Sequence, residues 1–186
     1  MSGDAYSTIY EIAADQLGYV TANQARDAGV TSMALVMMER RGTIERVSRG
    51  VYRLLQFPIG PLAEYMEASL WPVGATGVIS HESALALYGI SDVNPSVIHV
   101  TVPAAHRVRR RTPTRLRLHH ADLVDEDRDL YEGIPVTRVE RTIQDCLVSG
   151  AGGEILARAV DDAVRAGLLA GRDADRIRRQ LAVPAA

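Results

Sequence analysis

Three short helical patterns, each stopped by a glycine, run directly into a hairpin pattern within the first 56 residues. This order limits the fold more than any other feature of the chain. Tyr6–Leu17 places Ile9, Ile12, Ala13 and Leu17 on one side and stops at Gly18. Thr21 suits an N-cap for the two-turn segment "ANQARDAG", ended by Gly29, and Thr31 or Ser32 caps a third helix, "SMALVMMERR", ended by Gly42. "TIERVS" and "VYRL" then read as two short strands joined by a tight turn in which Gly50 takes positive φ. Alternation in the second strand puts Tyr52 and Leu54 inward and Val51 and Arg53 outward, while the first strand alternates less cleanly. Helix, helix, turn, helix, hairpin is the winged helix-turn-helix order. Its third helix can enter a major groove about 12 Å wide while the hairpin lies on the adjacent backbone.

Charge sits where such a wing needs it. Arg46, Arg49 and Arg53 lie on the hairpin, and Arg40 and Arg41 at the end of the third helix. Contacts to phosphate position a protein on DNA without reading sequence, and their affinity falls steeply with salt. The same arginines could form the solvated face of an ordinary hairpin; the preceding three-helix pattern favours nucleic acid. Total charge conceals this placement, because the 186 residues sum to a formal −2. With Leu35 and Met38 inward, the third helix shows Ser32, Met33, Ala34, Val36 and Met37. The expected DNA-facing set is therefore Thr21, Ser32, Met33, Val36, Met37, Arg40, Arg41, Arg46, Arg49 and Arg53. Apolar side chains can touch a thymine methyl but cannot make bidentate base contacts, so phosphate-dominated binding with modest sequence preference is expected. The alternative is that Met33, Val36 and Met37 pack on another part of the protein or on a second subunit.

"FPIGP", Phe57–Pro61, reads as a linker, dividing an α+β chain into residues 1–56 and a mixed-sheet domain over residues 57–186 with flanking and C-terminal helices. In the second part, "LAEYMEASLW" is a helix stopped at Pro72, "TGVIS" is extended, and Ser80 caps "HESALALYG" with Glu82 complementing the helix dipole. "SVIHVTVP" is the best strand, "RLRLHH" a strand partner, and "GIPVT" a further strand with Thr137 capping "RVERTIQDCLVSG". "GEILARAVDDAVRAG" and "DADRIRRQLA" are helical. His119 and His120 point to opposite faces of a strand, so the pair is poorly placed to share a metal, and no metal site is expected. Cys146 is expected to be buried beside Ile143 and Leu147, and Arg141 to pair with Asp145 four residues on. Two charge blocks stand out: "HRVRRRTPTRLR", His106–Arg117, and "DLVDEDRDLYE", Asp122–Glu132. Either they screen one another, or Arg107, Arg109, Arg110 and Arg111 form a second surface for nucleic acid or an acidic partner.

Composition closes several chemistries. All 21 basic residues are arginine, which excludes a Walker-A loop, a Schiff base or a lysine-dependent kinase site. Cys146 is the only cysteine, so no internal disulfide forms and a reducing cytoplasm fits. Apolar runs such as "MALVMM" are too short to span a bilayer, and no signal peptide is evident at the N-terminus.

"YVTANQARDAGVTSMALVMMERRGTIERVSRGVYRL" resembles the N-terminal winged-helix domain of the AbiEi-type antitoxins of type IV toxin–antitoxin systems. "VISHESALALYGI", "IHVTVP" and "GIPVTRVERTIQDC" resemble the C-terminal antitoxin domain of the same family. The resemblance implies a gene pair with a nucleotidyltransferase-like toxin. The winged helix would bind promoter repeats in double-stranded DNA and repress the shared promoter, and the C-terminal domain would counter the toxin by direct or indirect means. The expected mechanism is stoichiometric binding with no turnover and no cofactor. A stand-alone winged-helix regulator, with a ligand-sensing or dimerising C-terminal domain, is the competing reading. An enzyme acting on the toxin or on nucleic acid is disfavoured by the missing lysine and by the lack of a metal-binding carboxylate constellation.

Overall fold

The first segment to form a helix is apolar on one side, and its end is set by backbone chemistry. In the computed structural model, which describes residues 2–181, α1 spans Ser2–Ala14 and buries Ile9 and Ala13 completely. It ends three residues short of the expected Leu17. Leu17 and Gly18 both adopt positive φ, and the Gly18 amide donates back to the Ala13 carbonyl at 2.8 Å. β1 (Tyr19–Thr21) follows, then α2 (Ala22–Asp27) and α3 (Ser32–Arg40). Thr21 caps α2 through a full capping box with Gln24, and Thr31, not Ser32, caps α3 by accepting from the Ala34 amide at 3.2 Å.

β2 (Ile44–Ser48) and β3 (Val51–Leu54) form the expected hairpin, and β1 adds a third strand in the order β1-β3-β2, antiparallel throughout. The register slips between Arg46 and Ser48, leaving Val47 as an extra residue in a β-bulge. This accounts for the poor alternation of the first strand. Strand β3 is central and buried at all four residues, so the outward placement expected for Val51 and Arg53 is not found. Ile9, Val20, Ala25, Leu35, Ile44 and Leu54 belong to one core.

The chain divides into two compact units, Met1–Gly77 with Glu132–Ile134, and Val78–Tyr131 with Pro135–Ala186. The first therefore extends past the irregular Phe57–Pro61 stretch and takes in α4 (Ala63–Leu70).

The second unit is built on a five-stranded mixed sheet, order β6-β5-β4-β8-β7, from β4 (Val78–Ile79), β5 (Ile98–Val102), β6 (Leu116–His120), β7 (Arg128–Tyr131) and β8 (Ile134–Thr137). All five residues of β5 are buried. β5 is antiparallel to β4 and parallel to β6, so residues 103–115 must cross back to begin β6 on the same side as β5. β7 was not anticipated: it lies inside the acidic block, where exposed charges mask its pattern.

Helices α5 (His81–Tyr88), α6 (Val139–Val148), α7 (Gly153–Arg165) and α8 (Gly171–Leu181) share one cluster containing Leu85, Ile143, Cys146, Leu156, Val160 and Ile177. Cys146 is buried as expected, and burial pushes its thiol pKa up, but Leu147 is exposed. Two expected caps are corrected. Ser80 and Thr137 precede their helices, yet neither side chain caps. Thr137 Oγ1 instead meets Thr142 Oγ1 at 2.7 Å, and Ser80 Oγ is held by Thr101 Oγ1 at 2.8 Å. Among the described residues, no helix is long and apolar enough to cross a membrane.

Two glycines in the first unit separate backbone strain from close approach. Gly18 (φ +88°) and Gly29 (φ +84°) both occupy the left-handed region, but a Cβ at Gly18 would stand 2.5 Å from Phe57 Cβ, whereas one at Gly29 meets nothing within 4 Å. Gly29→Ala is expected to cost about 1–2 kcal/mol, the left-handed penalty alone. Gly18→Ala should lose about 1–3 kcal/mol more from overpacking. Denaturant unfolding of the two variants measures the gap.

Candidate nucleic-acid interface

Helix α3 is oriented by its two buried residues, Leu35 and Met38, as the sequence spacing requires. Its opposite side carries Ser32, Met33, Val36, Met37 and Arg40, all exposed, with Met33 the most open at 69%. Ala34 is half-buried against the core. Arg41 follows at the C-cap, also exposed. The face is therefore as apolar as its sequence implies: three large hydrophobic side chains with one hydroxyl and, at its C-terminal end, two arginines.

The wing supplies cations, but fewer than the hairpin sequence suggests. Arg46 and Arg49 are exposed near the turn, and the Arg46 Nε donates to the Ser48 carbonyl at 3.4 Å. Gly50 takes φ +79°, and its carbonyl accepts from the Ala22 amide at 2.8 Å, tying the turn to the start of α2. Arg53 behaves differently. It is 8% exposed, its Nε donates to Glu45 Oε1 at 2.7 Å and its Nη1 to the Phe57 carbonyl at 3.0 Å. Its charge is neutralised within the sheet and braces the chain after β3, so it is not presented to a ligand. Thr21 is likewise engaged: its hydroxyl donates to Gln24 Oε1 at 3.0 Å and accepts from the Gln24 amide at 3.1 Å. Thr21 and Arg53 are thus taken up inside the first unit, while the outer face of α3 and the wing-tip arginines are exposed.

In the second unit, Arg107, Arg109, Arg110 and Arg111 all fall on the 103–115 crossover between β5 and β6. Arg107, Arg109 and Arg111 are exposed and Arg110 half-buried. Arg107 Nη1 donates to the Ala104 carbonyl at 2.8 Å, so this arginine also braces its own loop. The acidic block is engaged locally. Asp122 Oδ1 accepts from the Ala104 amide at 3.0 Å, and Asp127 joins Asp145 in holding Arg141, both at 2.8 Å. The expected Arg141–Asp145 pair is present, with a third member that sequence spacing could not supply. Burial raises the Asp145 pKa, and the Arg141 guanidinium opposes that shift.

Sequence reasoning missed a convergence of histidines. His81, His99 and His119, from α5, β5 and β6, bring ring nitrogens within 4.8 Å of one another. His120 is exposed and outside this group, as its neighbour's opposite orientation requires. The missing signal was register. Thr101 pairs with His119 and His99 with Arg117 across parallel β5 and β6, which puts His99 and His119 on one face of the sheet.

Residues 7–55 match the family described as "Transcriptional regulator, AbiEi antitoxin". The likeness to AbiEi antitoxins expected from the sequence is thus borne out for the N-terminal region. Among solved structures, the crystal structure of the RV2827C protein from Mycobacterium tuberculosis is similar over 97% of this chain and 78% of that one, with a TM-score of 0.52 and 16% identity. At that identity the likeness is one of fold. No protein of curated function matches the chain.

Arg53→Ala should destabilise the protein by about 1–3 kcal/mol, the range for losing charge-assisted hydrogen bonds at a buried site. Arg46→Ala, at an exposed site, should stay within about 0.5 kcal/mol of the parent. Paired chemical-denaturation curves check the contrast.

Proposed function

We propose that the chain is the antitoxin of a bacterial toxin–antitoxin pair. It acts in the cytoplasm as a stoichiometric binder, its N-terminal winged helix repressing its own promoter. The observation that carries the DNA-binding half is the joint exposure of the outer α3 face and of Arg46 and Arg49 on the wing, in a region that matches AbiEi transcriptional regulators. The wing arginines set position and affinity through phosphates. Ser32, Met33, Val36 and Met37 lie in the groove with Arg40 and Arg41 beside the backbone, and van der Waals contact with thymine methyls gives a modest sequence preference. The second unit counters a nucleotidyltransferase-like toxin, and the arginines at 107 and 109–111 form the surface offered to that acidic or nucleotide-bearing partner.

Fluorescence anisotropy with promoter DNA across a salt series tests the first half. Arg46→Ala and Arg49→Ala should each reduce the slope of log K against log salt by about 0.9, the contribution of one neutralised phosphate. Arg53→Ala should leave the slope unchanged in whatever fraction remains folded. A slope unaltered by the Arg46 and Arg49 changes together would overturn the wing assignment. Co-expression with the product of the neighbouring gene tests the second half. Rescue from toxicity supports it, whereas promoter binding without rescue identifies a stand-alone regulator.

A further inference from the structure

The three converging histidines are packed among other polar side chains. His81 begins α5 in the left-handed region at φ +54°, and its Nδ1 lies 3.0 Å from Ser80 Oγ, itself the acceptor of a hydrogen bond from Thr101. The His81 and His119 rings stack with centroids 3.7 Å apart. His119 Nε2 is 3.1 Å from His99 Nδ1, and Glu82 Oε2 is 3.2 Å from that same Nδ1. The pKa of each of the three imidazoles is lowered. Burial is the main cause, lowering His81 to about 3 and His119 to about 4, with the mutual repulsion of the histidines and the nearby Arg117 adding to it. His99 is lowered too, burial outweighing the attraction of Glu82.

The hydrogen bonding of this group does not close. One proton on His99 Nδ1 cannot serve both His119 Nε2 and Glu82. Glu82 Oε2 is shielded from solvent, yet it accepts no hydrogen bond of acceptable geometry. A dehydrated carboxylate oxygen beside facing imidazole nitrogens calls for a positive charge between them. We propose that His81, His99, His119 and Glu82 form a binding site for a first-row divalent cation, with zinc the best fit. Three imidazoles and one carboxylate make a four-coordinate N₃O set suited to that ion. Zinc bonds of about 2.0–2.2 Å in a tetrahedron place ligand atoms roughly 3.3–3.5 Å apart. Two edges of the set, at 3.1 and 3.2 Å, are already near that spacing. Of the six edges of the tetrahedron these two share His99 Nδ1, and the ring nitrogens of His81, His99 and His119 lie within 4.8 Å of one another, so the ion would draw His81 in by a short movement. Ser80 is the positioning residue: accepting the His81 Nδ1 proton leaves Nε2 with its lone pair free. His119 lies half-buried on the sheet's edge strand, which provides an entry path. With four protein ligands the ion would join α5, β5 and β6 as a structural clasp. The inference is independent of the DNA-binding reading.

The full-length protein, stripped with chelator, should take up about one zinc per chain by elemental analysis and melt at a higher temperature when loaded. Cobalt(II) should give the intense visible bands of a tetrahedral site. His119→Ala and Glu82→Gln should abolish or sharply reduce uptake, and Ser80→Ala should weaken it about 10–100-fold. His106→Ala and His120→Ala should bind as the parent does. Circular dichroism confirms that each variant is folded; should His119→Ala not fold, the Glu82 and Ser80 variants decide. Failure of the folded parent to take up zinc or cobalt, or uptake unaffected by the Glu82 and Ser80 changes, overturns the site.

Discussion

Strand β3 is hydrogen-bonded on both edges, and the N-terminal unit depends on that one fact. Its pairing with β1 fixes the chain between α1 and α2, and its pairing with β2 fixes the wing. Because both neighbours are antiparallel and the strand is buried throughout, a residue on either face must be apolar or internally satisfied. Val51, Tyr52 and Leu54 meet the first condition. Arg53 meets the second through Glu45 and the Phe57 carbonyl. The wing tip can then be cationic and exposed, because the strand beneath it carries the cost of order.

The second unit repeats the theme with a parallel pair. β5 and β6 run in the same direction, so the connection between them must traverse the sheet, and that connection is the arginine-rich segment. The same pairing aligns His99 with Arg117 and Thr101 with His119. Topology therefore produces both the exposed basic loop and the buried histidine group. Neither needs a local sequence motif.

Patterns that operate within one element were legible in the sequence. The inward positions Leu35 and Met38, the cap at Thr31, the positive φ of Gly50 and the Arg141–Asp145 pair all follow from spacing of four residues or fewer. Features that depend on a partner element were not. "YVT" is too short to declare itself a strand, and without it β3 reads as an edge with one solvated face, which sends Arg53 outward. Ser80 and Thr137 look like caps by position but are drawn to Thr101 and Thr142. The histidine group requires the β5–β6 register as well as the unusual backbone at His81. β7 was hidden because an exposed edge strand needs no apolar alternation.

The mixed sheet ends in β6 on one side and β7 on the other. On β7 two backbone groups are already taken by side chains: the Arg128 carbonyl accepts from Arg138 Nε at 3.0 Å and the Leu130 amide donates to Asp129 Oδ1 at 2.8 Å. Arg117 and His120 on β6, and Arg128 and Asp129 on β7, are exposed along those margins. A second copy aligning on either one would have to desolvate these groups and, in a symmetric pairing, set like charges side by side. Arg117 and Arg128, outside the arginine-rich crossover, thus guard these margins against strand-to-strand aggregation.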